Sequence, residues 1–152
     1  MTHIKVSPYD VHLLKEDDQV KWINENVILF LSFIAFDSWN SYWARKHVTY
    51  AINYAVENHP FDFIYNFCFE DWIQKSDIIK SFYNIKDDDK KSTIFELLYN
   101  LSMLDNDLLT LENAQIVAKN NPVFFIQNLS NVFKNQECID IAIFNIGNQK
   151  NI

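Results

Sequence analysis

The sequence predicts an all-α fold, and three observations carry that expectation. Gly147 is the only glycine among 152 residues. Ile94, Leu97, Leu98, Leu101 and Leu104 place apolar side chains on one helical stripe. Asn58-His59-Pro60 and Asn120-Asn121-Pro122 each read as a helix end followed at once by a helix start. The residue before proline avoids the helical region, and proline itself suits the first helical position. A β-sandwich needs many left-handed turn residues and a doubly wound nucleotide fold needs a glycine-rich loop, so one glycine counts against both.

The elements follow in order. Residues 1–7 read as extended, and Pro8 or Asp10 opens a short helix to about Lys15. Asp17 and Asp18 suit the first turn of a helix over 18–36, where carboxylates meet the positive end of the dipole. Its apolar run, residues 27–36, is half the length of a membrane span and reads as a central, fully buried helix. Asp37 or Ser38 caps a long helix over 39–58. Pro60 opens a short element over 61–67, and a helix over 72–83 follows. Residues 86–91 form a charged loop or helix start. The stripe from Ile94 to Leu104 comes next, then a helix from Thr110 and Glu112 to Lys119, then another with Phe125, Ile126, Leu129, Val132 and Phe133 on one side. Residues 138–146 fit either a helix or an alternating strand. Helix is preferred because little else could pair with a strand, and Gly147 is then its C-cap.

No linker interrupts the apolar pattern, so the chain reads as one domain, residues 1–152, of seven or eight helices with 1–7 and 148–152 extended or frayed. The pattern N-x-P-Φ-x-F-I-x-N-Φ occurs at 58–67 and again at 120–129. It suggests a degenerate helical-hairpin, solenoid-like repeat of 62 residues. Hydrophobic residues make up 49% and charged residues 22%, which excludes a disordered chain. Aromatics reach 16%, more than a small core needs, so some are expected at the surface.

The formal charge of −7 disfavours partners rich in phosphate, nucleic acid and anionic membrane alike. The N-terminus shows no apolar signal region, and Cys68 and Cys138 fit neither zinc nor disulfide spacing. They read as buried thiols, and the expected location is cytoplasmic. His3, His12, His47 and His59 offer no metal pair on one helix face. Asp105-Asn106-Asp107 with Glu112 lacks the glycine and the third oxygen ligand of a calcium loop and reads as a helix cap. No Walker loop, no nucleophile elbow and no cysteine signature is present. No cofactor and no catalytic residue is expected.

Two surfaces carry the functional expectation. Trp39, Trp43, His47, Tyr50 and Tyr54 form an aromatic stripe on the third helix, with Tyr42, Arg45 and Lys46 beside it. Between Glu57 and Asp89 eight carboxylates face three lysines. Glu70, Asp71, Asp77, Asp87, Asp88 and Asp89 belong to this stretch, and Trp72 stands beside two of them as an aromatic anchor. A focused negative field speeds encounter with a basic protein, and an anchor then holds it.

In its acidic run, Glu70-Asp71 to Asp87-Asp88-Asp89, and its aromatic helix, Trp39 to Tyr54, the chain resembles the immunity proteins of bacterial polymorphic-toxin and contact-dependent inhibition systems. That resemblance implies a non-enzymatic inhibitor that occludes a basic, nuclease-type toxin domain. A helical scaffold subunit, or a small-ligand enzyme with a pocket along the aromatic stripe, are the other readings.

Overall fold

The computed structural model describes residues 5–38 and 42–149. The described residues are helices and connecting turns, with no strand among them. Their contacts form two compact units, Met1–Ile78 and Ile79–Ile152.

In the first unit Ser7 accepts the Tyr9 amide and starts a 3-10 turn, Pro8–Leu13. Helix α1 is Glu16–Glu25, with three carboxylates in its first turn. Instead of one helix over 18–36 there is a break at Asn26 (φ −138°, ψ 37°). The Asn26 side-chain amide donates to the Trp22 carbonyl at 2.9 Å, a bond that competes with continued helix. Helix α2, Val27–Phe33, runs on into a π-helical turn, Ile34–Ser38. The apolar run is therefore not fully buried. Phe30, Leu31, Phe33 and Ile34 are inside, but Leu29 is half exposed and Phe36 is 89% exposed, because so short a helix covers only one side.

Helix α3, Tyr42–Asn58, and α4, Pro60–Phe67, complete the unit's main packing. Trp39, the expected start of α3, lies outside the described residues. Helix α5, Lys75–Asn84, runs across the division between units. Trp72 precedes it in a turn rather than standing inside it. The core holds Trp22, Ile23, Phe30, Leu31, Ala51, Ala55, Phe63 and Ile64. The Trp22 indole donates to the Val6 carbonyl at 3.1 Å and fixes the extended segment before the 3-10 turn.

Three polar contacts join α1 to α3 in the same order along both helices. Glu16 pairs with Lys46 at 2.7 Å, Gln19 bonds His47 at 2.9 Å, and Asn24 accepts from Tyr50 at 2.5 Å.

In the second unit Asp87 caps α6, Asp88–Asn100, by accepting the amides of Asp89 and Lys90. Ile94 and Leu98 of the expected stripe are buried together with Phe95, and Leu97 is half-buried. The stripe ends early, since Leu101 is the C-cap and Leu104 lies beyond the helix. Ser102 stands left-handed (φ 58°), the Met103 amide bonds the Leu98 carbonyl at 2.8 Å, and the helix closes as a Schellman motif. A 3-10 turn, Asn106–Leu108, is capped by Asp105, and Thr110 caps α7, Leu111–Asn120, by accepting the Asn113 amide. The expected capping roles of both segments are thus seen. Buried Asn113 donates to the Leu108 carbonyl and to Tyr83, whose hydroxyl donates to the Asp107 carbonyl. Helix α8, Pro122–Phe124, passes into a π-helical turn, Phe125–Leu129. Helix α9, Gln136–Gln149, packs on α7 and α8. Residues 138–146 are therefore helical. Gly147 is not a C-cap: it lies within α9 without the positive φ such a cap needs.

The two Asn-x-Pro corners have the same build. His59 (φ −138°, ψ 53°) and Asn121 (φ −141°, ψ 63°) stand before the two prolines. Asn58 and Asn120 each donate to the carbonyl four residues back. Ala51, Ile52, Ala55 and Val56 are buried before the first corner, and Asn113, Ala114, Val117 and Ala118, each 62 residues on, before the second. After the corners Phe63 and Phe67 match buried Phe125 and Leu129. The second corner then departs into its π turn, with Ser130 bonding Phe125 where Cys68 bonds Ile64.

Two substitutions test this account of helix ends. Ser102→Gly should raise stability by about 1 kcal/mol, because a side chain in the left-handed region carries a steric penalty. Gly147→Ala, with nothing within 4 Å of the added carbon, should gain about 0.5 kcal/mol. Urea midpoints measure both, and a loss in Ser102→Gly would contradict the Schellman assignment.

Candidate partner-binding surface

The aromatic stripe of α3 divides between core and surface. Trp43 is half-buried, its ring 5.3 Å from Phe30 and stacked 5.9 Å from Phe33. His47 is 5% exposed. Tyr50 stacks on Tyr54 at 6.2 Å between centroids. Tyr42 is 78% exposed. It lines, with Tyr9, Phe33 and Trp43, an open cleft of about 660 Å³ whose polar side is His12, Glu16, Gln19 and Lys46.

The polar groups of this cleft are largely engaged with one another. The Gln19 amide nitrogen donates to the Leu14 carbonyl at 3.1 Å. That leaves its oxygen to accept, so the His47 Nε2 carries the proton of their shared bond. Burial pushes the imidazole below its ordinary value, and Lys46 adds to the effect while Glu16 opposes it. At the rim the hydrogen bond from Lys46 holds the Glu16 carboxyl down, and the same bond holds the ammonium up.

The acidic residues separate into structural and exposed ones. Glu70 accepts the Trp72 indole at 3.2 Å, and the Trp72 ring lies 6.2 Å from Phe67, so this aromatic is tied down rather than presented. Asp71 is exposed and Asp77 is half-buried in the first turn of α5. Asp87, Asp88 and Asp89 are exposed, but Asp87 is committed to the α6 cap and all three complement its dipole. Glu70, Asp71, Trp72 and Asp77 belong to the first unit and Asp87 to Asp89 to the second. The first unit has eleven carboxylates against six Lys and Arg, and the second nine against seven.

A surface that the sequence reading missed lies on α4. Phe63, Ile64 and Phe67 turn inward. Asp62, Tyr65 and Asn66 are exposed on the opposite side, and Phe69 continues that side one turn on. Tyr65 is 53% and Phe69 60% exposed, with Tyr65 stacked 5.6 Å from Phe61. From residue 47 to 74 there is no Lys or Arg, while Glu57, Asp62, Glu70 and Asp71 fall within that stretch. The absence of cations was legible in the sequence. The outward direction of Tyr65 and Phe69 was not, since aromatics occupy every second position from Phe61 to Phe69.

Both cysteines are free and buried, as their spacing suggested. Burial raises both thiols, and at Cys138 the neighbouring Glu137 carboxylate adds to the effect. Among the described residues no group of three His, Cys, Asp or Glu could hold a metal ion, and no helix is long and apolar enough to cross a membrane. Comparison with protein-family models, curated proteins and solved structures finds no match to this chain.

His47 supplies a pH test. Its folded pKa is lowered, so the stability it contributes is present above the ordinary 6.5 and is lost as pH falls through the folded value. Urea midpoints should drop as pH falls below about 6.5, and His47→Gln, which keeps a donor to Gln19, should flatten that drop. An equal drop in His47→Gln would assign the effect to other groups.

Proposed function

We propose that this chain is a stoichiometric protein-binding inhibitor of a basic partner, in the manner of the bacterial immunity proteins it resembles. The observation that carries the reading is the first unit's surface, where exposed aromatic rings stand among carboxylates in a stretch without Lys or Arg. Negative charge attracts a cationic protein over a distance of about one Debye length, and it repels nucleic acid. Exposed rings supply short-range contact area once the partner has arrived. Such a surface can cover the cationic groove of a nuclease-type toxin domain by standing in for the charge of its substrate. The protein then needs no chemistry of its own, and it acts in the cytoplasm, where that substrate lies.

A scaffold role is the second reading, favoured by one observation. Ile143 and Phe144 of α9 are 57% and 67% exposed, which suits a helix covered by a further subunit.

The inhibitor reading is tested against the product of the adjoining reading frame. Titration calorimetry should give a one-to-one complex that abolishes the partner's nuclease activity. Its affinity should weaken about tenfold from about 50 to about 300 mM salt. An acidic partner, or a complex indifferent to salt, would sink the proposal.

A further inference from the structure

The internal repeat acts as a built-in control for what the Asn-x-Pro corner requires. At matching positions, 62 apart, Phe63 with Phe125 and Phe67 with Leu129 are apolar and buried at both corners, and Ile64 is buried where Ile126 is half-buried. The outward residues do not correspond in kind. Where the first corner exposes Tyr65 and Phe69, the second exposes Gln127 and Asn131. Polar residues therefore suffice at these two outer positions, while Asp62 has no exposed counterpart, its match Phe124 being buried. Two large rings left in water lose the burial that would stabilise them by about 25 cal/mol per Å² of apolar surface, so the fold itself gives no reason for them.

We infer that the outward face of α4 and the following turn, Asp62, Tyr65, Phe69 and Asp71, is the contact surface for a basic protein segment carrying Arg between apolar residues. This rests on the basic-partner reading above and names the place where it acts. The charge points to the occupant, because Asp62 and Asp71 are exposed in a stretch, residues 47–74, that contains no Lys or Arg. The rings sharpen it. A guanidinium stacks on an aromatic face and offers its remaining donors to a neighbouring carboxylate, which a lysine does less well. Tyr65 already lies parallel to Phe61, with an interplanar angle of 17°, so part of the platform is set before the partner arrives. Asp87 at the N-terminus of α6 accepts amides of its own helix, and no residue of that turn is assigned to this surface.

The test uses the whole chain and two synthetic peptides: one of Arg and Leu, and one in which every Arg is replaced by Glu. Tyr65→Gln with Phe69→Asn installs the residues that the second corner already carries. Asp62→Asn removes one charge from an exposed position, and Asp88→Asn with Asp89→Asn serves as the control. Binding is followed by calorimetry, and folding by the thermal midpoint. The Arg peptide should bind the parent chain, with affinity about tenfold weaker in the ring variant. Asp62→Asn should show a smaller loss that vanishes at high salt, and the control should bind as the parent does. If the Arg peptide binds every variant equally, or only the Asp88/Asp89 variant loses it, the α4 assignment is overturned while the basic-partner reading stands. If the Glu peptide binds as well as the Arg peptide, or neither binds, both fall.

Discussion

The helices of this chain have to be stopped almost without glycine, and asparagine ends several of them. Helices α3, α5, α6 and α7 all end on Asn, and α1 is closed by Asn26. The side chains of Asn26, Asn58 and Asn120 donate to the carbonyl four residues earlier, a local bond that competes with continuing the helix. Proline then restarts the chain at Pro60 and Pro122. Among the described residues one stands left-handed, Ser102 at the end of α6. The short helices, the kink after α1 and the two matching corners all follow from this way of ending a helix.

Within each unit a small set of buried polar bonds decides how the helices align. In the first, the contacts from Glu16 to Lys46, Gln19 to His47 and Asn24 to Tyr50 set α1 along α3. The buried middle contact matters most, because an unpaired amide or imidazole inside a core costs more than an exposed ion pair contributes. The exposed outer pair, Glu16 with Lys46, instead shapes the rim of the aromatic cleft. In the second unit Asn113 and Tyr83 do the corresponding work between α5, the 3-10 turn and α7. Polar residues that look available in the sequence are thereby spent on structure, as Trp72, Glu70 and Asp87 are.

The surfaces show the same limit on reading side chains from a string. An aromatic stripe at helical spacing on α3 was visible, yet His47 faces the core while Tyr42 faces solvent. The acidic stretch was visible as net charge, yet five of its eight carboxylates, Asp62, Asp77, Asp87, Asp88 and Asp89, lie at helix starts. On α4 the rings at Phe61, Phe63, Tyr65, Phe67 and Phe69 surround the helix, and period alone does not choose an inner side.

By itself the sequence determined several helix ends, because those depend on local sterics and on bonds between residues four apart. Asn-x-Pro, the caps at Asp105 and Thr110, and the lack of turn glycines are all of this kind. It also determined the sign of the charge and the likeness of the two corners. Only the tertiary structure decided that α1 breaks from α2, that Gly147 is a helix residue and that Tyr65 and Phe69 face outward. Burial is a relation between segments far apart in the chain, so the candidate surface became visible only once those segments were packed.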